Sequence, residues 1–371
     1  MSVSIFRNFE ANPFGHGGEK RSFQIQTIIN REQSTNAFIT GLPNDCLPWY
    51  KKYPILSIAK SLLVRRNIQP LIHHTKEIFF NIIGQTQLKR YLQQHQNVLQ
   101  NSTAIIWESC YPELRNFPVL AKKIAPNVPI IACLHNLESI VNQPYFYWGT
   151  QKMVDKLAIE LSYLKNCDAV FTISEEEEWL LQTLGIQAYY LPYTVEAELL
   201  TYLLNIREQR NLQQTTNTYL VLGSASNYPT ARGMEQLIMN VIDNSSLCCS
   251  MLFHVLGFQT EQFKKYENDI VKILGTVSKH KLEEEMIKCS GIIINQGFSS
   301  GSLTKITEFL TAGIPVFCDR GSARSFRRKE GIYVFDNFKH LVEILQNFKH
   351  TPVPLSANEH SSDAFFLNQL K

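Results

Sequence analysis

Short apolar runs rich in β-branched and aromatic residues recur along the whole chain, and segments with helical spacing separate most of them. An unbroken apolar strand is buried on both faces, which is typical of a parallel sheet covered by helices on each side. The pattern therefore predicts an α/β protein. The predicted strands lie at 3–9, 35–42, 103–109, 128–135, 168–174, 187–193, 218–226, 251–257, 271–277, 291–296, 314–319 and 332–336.

The predicted strands form two sets, separated at residues 200–217, where the apolar period is lost and the segment becomes rich in Gln and Asn. A chain of 371 residues is also long enough for two domains. We expect two doubly wound domains facing a central cleft, an N-terminal one at 1–205 and a C-terminal one at 206–352. The last residues, 353–371, are expected to pack back on the N-terminal domain. Ligands of such sheets bind beyond the carboxyl ends of the strands.

Composition and motifs exclude several classes of protein. A net charge of +3 is too small for a dedicated nucleic-acid binder, so no nucleic-acid partner is expected. No apolar window is long enough to span a membrane, and the first residues resemble no targeting segment, which favours the cytoplasm. The eight cysteines include no C-x-x-C pair.

Familiar cofactor motifs are also missing. The sequence contains no G-x-G-x-x-G, no P-loop and no H-E-x-x-H. It has no Asp-x-Asp either, so neither a metal nor a bound cofactor is expected.

The most informative segment is FSSGSLTKITEFLTAGIPVF, in which a Gly/Ser loop at a strand end leads into a helix. Ser302 is the predicted N-cap, and Gly313 ends the helix. Lys305 falls in the first turn, where a cation opposes the helix dipole unless an anion binds there. Glu308 follows at i+3, and its carboxylate can accept two hydrogen bonds from vicinal hydroxyls. The pair suits a nucleoside diphosphate; the alternative is a solvated i,i+3 ion pair.

At this point the chain resembles the retaining family-4 glycosyltransferases, which have two Rossmann-like domains in the GT-B fold. GSLTKITEFLTAGIPV is similar to their donor-site motif, and CLHNLES to the strand end that points a histidine at the cleft. YLVLGSASNYPTARGMEQLI resembles the first strand and loop of their donor domain, and LGTV the stretch near the nucleobase. The likeness covers roughly residues 100–360.

The resemblance implies a glycosyltransferase that moves a sugar from a UDP- or GDP-linked donor to a hydroxyl of a glycan, a lipid-linked or a small-molecule acceptor. It implies retention of configuration and no metal. His135, Lys305 and Glu308 are the implied catalytic residues. The resemblance and the Gly/Ser loop together predict the donor-binding residues Gly17, Gly18, Ser224, Arg232, Val277, Ser299, Ser300, Gly301, Ser302, Lys305 and Glu308.

Departures from the family pattern leave alternatives open. Ser300 stands where the family often has glutamate, and Ser224 and Leu303 stand where arginine is frequent. A catalytically impaired binding protein and a nucleotide-sugar epimerase of the same architecture are the alternative functions. His135 by position alone fits a core histidine bonded to a backbone carbonyl equally well.

Three further features have both structural and functional interpretations. Glu108 ends a predicted strand and is a candidate acceptor-binding residue. Ser174 and Glu177 have the spacing of a capping box, which favours a structural role. The basic cluster at 324–329 is a solvated face or a peripheral contact with acidic lipids at the inner membrane surface, or its Arg324 approaches the diphosphate.

Overall fold

The computed structural model describes residues 2–39, 86, 88–108, 114, 116–141, 153–297, 301–326, 329–355 and 361–371. All twelve predicted strands are present, and every strand pair is parallel. The strands are β1 Ser2–Arg7, β2 Ser34–Ile39, β3 Ala104–Glu108, β4 Ile130–Cys133, β5 Ala169–Thr172, β6 Ala188–Tyr190, β7 Thr218–Leu222, β8 Leu252–Leu256, β9 Val271–Gly275, β10 Gly291–Ile294, β11 Val316–Asp319 and β12 Ile332–Phe335.

Helices follow most of the strands, as the alternation predicts. They are α1 Gly17–Asn30, α2 Gln96–Gln100, α3 Phe117–Ile124, α4 Met153–Leu164, α5 Glu175–Thr183, α6 Ala197–Leu212, α7 Tyr228–Asp243, α8 Lys279–Lys288, α9 Thr304–Thr311, α10 Phe338–Asn347 and α11 Ser361–Asn368. Short 3-10 helices are formed by Glu138–Ile140, Ser245–Leu247, Thr260–Tyr266 and Arg324–Phe326. Within the described ranges, no helix has both the length and the apolar character needed to cross a membrane.

The chain divides into two compact units. The first comprises Met1–Pro192 together with His360–Lys371, and the second comprises Tyr193–Glu359. The polar segment that we interpreted as the break between domains is helical up to Leu212 and belongs to the second unit. The sequence-based boundary after residue 205 therefore falls inside α6.

Two arginines near the end of α6 bond to the ends of neighbouring helices of the second unit. Arg207 donates to the carbonyl oxygens of Leu310 and Thr311 at the end of α9, and Arg210 donates to those of Ile287 and Cys289 at the end of α8. The last carbonyls of a helix have no partner inside it, and a cation there also opposes the negative end of the helix dipole. Two arginines thus attach the end of α6 to the second unit, and Leu199, Leu203 and Ile206 of the same helix are buried.

The sheet of the first unit has the order β2-β1-β3-β4-β5-β6. Apolar side chains of β1, β3, β4 and α1 pack on one face of this sheet together with Phe366, Leu367 and Leu370 from the end of the chain. Arg31, the C-cap of α1, and the buried Asp363 on α11 form an ion pair over 2.7 Å. The C-terminal helix is thereby part of the core of the first unit.

The sheet of the second unit has the order β12-β11-β10-β7-β8-β9. Counted from its own first strand, this is the 3-2-1-4-5-6 order of a Rossmann fold. The order reverses between β7 and β10, so a crevice opens beyond the carboxyl ends of these two strands. The segments after β7 and β10 include Ser224 and the Gly/Ser loop that the sequence singled out.

Candidate functional site

The Gly/Ser loop after β10 leads into α9 one residue later than the sequence predicts. Gly301 has φ of +70°, which glycine adopts at little cost, and Leu303 is the N-cap. Ser302 therefore is not the N-cap: the extended backbone of Leu303 (φ −80°, ψ 96°) moves the helix start to Thr304, and no side chain caps it. Helix N-termini leave backbone N–H groups without intrahelical partners, and these suit an anion. Ser299 and Ser300 lie outside the described residues.

Lys305 is the second residue of α9, as expected for a first-turn cation. Its half-buried side chain reaches the end of β7, where Nζ lies 3.8 Å from the position that a Cβ atom on Gly223 would take. Burial lowers the pKa of Lys305 to about 8, although the negative fields of Asp319 and Glu308 act to raise it. Among the described residues Lys305 has no ion-pair partner, so the alternative of an i,i+3 pair with Glu308 is wrong.

Glycines bring the ends of β7 and β8 close together beside this lysine. The N–H of Gly223 donates to Leu256 over 3.2 Å, and a Cβ atom on Gly257, where φ is +129°, would lie 2.1 Å from the carbonyl oxygen of Gly223. Ser224 follows, and its hydroxyl lies 2.7 Å from that of Ser226. The strand end thus presents a glycine to the lysine, and a serine follows it.

Asp319, at the end of β11, was missed by the sequence analysis. Its Oδ2 accepts hydrogen bonds from the N–H groups of Gln296 (2.8 Å) and Gly297 (3.2 Å) after β10. Its Oδ1 accepts from the N–H groups of Gly321 (2.9 Å) and Ser322 (3.0 Å) after β11. One carboxylate therefore ties together the two loops nearest Lys305. The available signal was an acidic residue directly after an apolar strand and before a Gly-Ser turn.

Arg324 has a structural role in this network. Its guanidinium donates to the carbonyl oxygen of Gly301 and, over 3.0 Å, to that of Gly321. It thereby holds the Gly/Ser loop against the turn that follows β11. The predicted lipid contact of the cluster at 324–329 remains a prediction, and Arg327 and Arg328 lie outside the described residues.

Glu308 is buried and lies one turn beyond Lys305 on α9. Its Oε1 accepts a hydrogen bond from the buried hydroxyl of Tyr193 over 3.3 Å. Tyr193 was not identified from the sequence, because an aromatic residue at the end of a predicted strand gives no sign of such a bond. The tyrosine fixes the orientation of the carboxylate, and the predicted ribose contact stays a prediction.

Two further predicted donor residues lie at the rim of the second unit. Val277 is half-buried directly after β9, next to Thr276, whose hydroxyl accepts from the N–H of Gln259 over 3.2 Å. Arg232 is exposed on α7. The structure therefore brings Ser224, Lys305 and Glu308 into one neighbourhood through Gly223 and Asp319, whereas it gives Arg232 no described contact that places it there.

In the first unit, Gly17 and Gly18 form the first turn of α1. His16 is the N-cap, and its Nδ1 accepts from the N–H of Gly18 over 3.1 Å while Glu19 accepts from the N–H of His16 over 2.8 Å. A Cβ atom on Gly18 would lie 2.8 Å from the ring of Phe9. The second glycine is therefore needed for packing, and the phosphate contact predicted for the pair stays a prediction.

The structure brings together Glu108 and His135, which the sequence singled out separately. Nε2 of His135 lies 3.7 Å from Oε2 of Glu108, and the hydroxyl of Ser22 donates to the same oxygen. Burial lowers the pKa of His135, although Glu108 acts to raise it. The imidazole is therefore mainly neutral near pH 7, which suits hydrogen bonding to a sugar hydroxyl. Glu108 itself has no exposed surface, and its predicted acceptor contact stays a prediction.

Arg21 is a fully buried cation in the same cluster that the sequence analysis did not identify. Its Nη1 donates to Gln24 over 2.6 Å and to the carbonyl oxygen of Pro192 over 3.3 Å. Burial lowers its pKa, whereas Glu108 acts to raise it. The signal was its position, three residues after Gly18 on the helix that follows β1. Glu108 thus lies in the field of a buried guanidinium.

No group of three or more metal-ligating side chains occurs in the part of the chain that the structure describes.

Comparison with solved structures identifies proteins of similar architecture. Sucrose-phosphate synthase from Thermosynechococcus elongatus matches with a TM-score of 0.57 and 13% identity, over 93% of this chain and 89% of that chain. Trehalose-6-phosphate synthase from Burkholderia multivorans matches with a TM-score of 0.57 and 9% identity, over 100% and 96%. HepE from Anabaena, in complex with UDP, matches with a TM-score of 0.56 and 11% identity, over 100% and 95%.

These likenesses establish the fold as the GT-B fold with two Rossmann-like units, which confirms the fold that the sequence resemblance implied. By sequence, no protein-family model and no curated protein matches this chain. Membership of glycosyltransferase family 4 stays a prediction.

Proposed function

We propose that this protein is a glycosyltransferase that moves a sugar from a nucleoside-diphosphate sugar to a hydroxyl group. The observation that carries the proposal is Lys305, a half-buried first-turn cation directed at Gly223, beyond the carboxyl end of β7. An ammonium at a helix N-terminus is unfavourable unless an anion lies beside it. A diphosphate placed there would accept hydrogen bonds from Nζ and from the uncapped N–H groups of α9.

The fold supports the same substrate class. Sucrose-phosphate synthase and trehalose-6-phosphate synthase are named for the sugar phosphates that they make, and the HepE structure holds UDP. In this chain the crevice at the switch point of the second sheet coincides with Lys305 and Glu308. We therefore assign the donor nucleotide to the second unit, with Lys305 at the diphosphate and Glu308 at the ribose.

The proposed reaction retains configuration and needs no metal. The bond between the sugar C1 and the diphosphate oxygen breaks, and a bond forms between C1 and the acceptor oxygen on the same face. The departing phosphate oxygen takes the acceptor proton. Lys305 and the α9 N–H groups stabilise the negative charge that develops on the diphosphate. His135 would hydrogen-bond a hydroxyl of the transferred sugar.

The first unit offers a place for the acceptor. A cavity of about 450 Å³ lies beside β1, β2 and α1 and is lined in part by Arg7, Glu10, Phe23, Gln26 and Asn30. Polar groups around one aromatic ring suit a polyhydroxylated molecule. We place the acceptor on this unit. Glu108 would contribute indirectly, through Ser22, which bonds it, and His135, which lies beside it.

A donor screen tests the proposal. Wild-type protein is mixed with UDP, GDP and ADP, and its unfolding temperature is followed. We expect one or more of them to raise that temperature, and the matching nucleotide sugar to be consumed when an acceptor is added. If no nucleotide gives a shift, the impaired binding protein suggested by Ser224 and Leu303 replaces the enzyme. A new epimer formed without acceptor would instead favour the epimerase.

A further inference from the structure

Three consecutive backbone N–H groups after β4 donate to two buried carboxylates. The N–H of Leu137 donates to Oε1 of Glu177 over 3.0 Å. Those of Glu138 and Ser139 donate to the two oxygens of Glu160, over 3.0 and 2.9 Å. These three residues form the entry to the short 3-10 helix at 138–140, so carboxylates bind its first N–H groups.

The two glutamates come from different helices. Glu160 projects from α4 and has no exposed surface, while Glu177 is the third residue of α5 and is 3% exposed. The predicted capping box of α5 is only half formed. Oγ of Ser174 accepts from the N–H of Glu177 over 3.3 Å, but the carboxylate of Glu177 bonds Leu137. Glu177 therefore has the spacing for a local cap of α5, but its carboxylate binds the loop after β4.

Burying two carboxylates near each other is costly. Burial and, to a smaller extent, the charge of Glu177 raise the pKa of Glu160 to about 7. The N–H groups of residues 138 and 139 oppose this increase by stabilising the ionised form. The hydrogen bonds that offset the cost of burying Glu160 therefore come from the chain just after β4.

The backbone of residues 137–139 lies just downstream of His135. His135 is two residues upstream of Leu137, and its imidazole lies between Glu108, 3.7 Å away, and the ring of Phe9, whose centroid is 5.8 Å away. The imidazole can hold this place only if the chain leaves β4 in one direction. The three carboxylate bonds fix that direction immediately downstream.

We propose that Glu160 and Glu177 are positioning residues that hold His135 in place for sugar transfer. The proposal rests on the proposed function, since it takes the role of His135 from there. Neither glutamate touches the imidazole. Both act through the backbone of residues 137–139, and their loss moves the histidine without altering the nucleotide site of the second unit.

Replacement by glutamine separates this role from simple space filling. In Glu160→Gln one oxygen still accepts, but an NH₂ group meets the second backbone N–H, and two donors cannot bond each other. Glu177→Gln removes the charge. The bond to Leu137 survives only if the amide oxygen, and not the NH₂ group, faces that backbone N–H. Glu175→Gln is the matched control, because Glu175 begins the same helix and is exposed.

The experiment measures sugar-transfer kinetics and the NMR titration of the His135 imidazole in wild type, E160Q, E177Q and E175Q. We expect kcat to fall about tenfold or more in E160Q, because small displacements of reacting groups carry large rate costs. Nucleotide affinity stays unchanged. The His135 pKa rises, because burial lowers it in the wild type and a displaced ring is better hydrated. E175Q behaves as wild type.

Unchanged His135 titration together with unchanged kcat in folded E160Q would overturn the proposal. If E160Q does not fold, Glu177→Ala, which removes the bond to Leu137, decides by the same two readouts. If wild-type protein transfers no sugar, the proposed function fails, but the imidazole titration still tests whether the two carboxylates position His135.

Discussion

Nζ of Lys305 lies 3.8 Å from the position that a Cβ atom on Gly223 would take, so the end of β7 and the first turn of α9 share one small space. Glycine keeps this space open, and Asp319 ties together the loops after β10 and β11. The space lies at the switch point of a parallel sheet, where ligands of such sheets bind. A lysine at this position has the geometry to bind a phosphate group.

Replacing Lys305 by alanine should weaken nucleoside-diphosphate binding about 10- to 100-fold, because a charged hydrogen bond contributes about 1.5–3 kcal/mol. Stability should be unchanged or slightly increased, since burial disfavours the charged amine. Calorimetric titration with UDP or GDP measures the first effect and thermal unfolding the second. Lys339→Ala is the matched control, because Lys339 is the exposed second residue of α10. Equal binding by both variants would contradict the assignment.

Binding should also depend on pH. The pKa of Lys305 is lowered to about 8, so the free protein loses the ammonium charge as the pH rises through that value. A bound diphosphate restores the charge, and nucleotide binding near pH 8–9 should therefore take up a proton. Calorimetry in buffers of different ionisation enthalpy measures this uptake. Lys305→Ala should take up none from this group.

The same pKa shift affects the stability of the free protein. Between about pH 8 and the ordinary lysine value of 10.5, the unfolded chain binds more protons at Lys305 than the folded one. The free energy of unfolding should therefore gain a contribution from this group as the pH rises through that window. Denaturant unfolding at several pH values compares wild type with Lys305→Ala, which should lack the gain. A gain of equal size in both proteins would show that another group titrates.

Replacing Glu308 by glutamine should separate recognition of the ribose from recognition of the phosphates. We expect about a tenfold loss of affinity for the nucleoside diphosphate, because a hydrogen bond to a charged group contributes about 1.5–3 kcal/mol. Affinity for inorganic pyrophosphate, which has no ribose, should be unchanged. Competition binding with both ligands gives the comparison. A parallel loss for both would place Glu308 near the phosphates instead.

Replacing Asp319 by asparagine should loosen both loops beside Lys305. Oδ1 and Oδ2 accept hydrogen bonds from four backbone N–H groups, and an amide NH₂ cannot accept the bonds made by the oxygen that it replaces. We expect a loss of about 1–3 kcal/mol in the free energy of unfolding, together with weaker nucleotide binding. Denaturant unfolding and calorimetry measure the two. Asp269→Asn is the control, since Asp269 lies two residues before β9 and is exposed.

The sequence predicts the fold well because burial on both faces leaves a strong signal. Most of the strands are largely apolar, such as β3, β4 and β10, and the parallel pairing follows from the helices between them. It predicts the start of α9 less well. Ser302 has a better capping side chain than Leu303, but the loop geometry sets the helix start. Local preference is weak compared with such tertiary constraints.

The site could be predicted only where one residue is unusual for its position. Lys305 is such a residue, because a first-turn cation calls for an explanation. Asp319, Tyr193 and Glu160 are not, since acidic and aromatic residues at these positions are ordinary, and their partners lie far away in sequence. Long-range pairing of this kind leaves no periodic pattern in a single chain.

A structure of the protein with a bound nucleoside diphosphate tests the central claim most directly. The account predicts a phosphate oxygen within hydrogen-bond distance, about 2.7–3.2 Å, of Nζ of Lys305, next to Gly223 and the N-terminus of α9. A nucleotide bound elsewhere, with the Lys305 amine directed into solvent and far from any phosphorus atom, would contradict it.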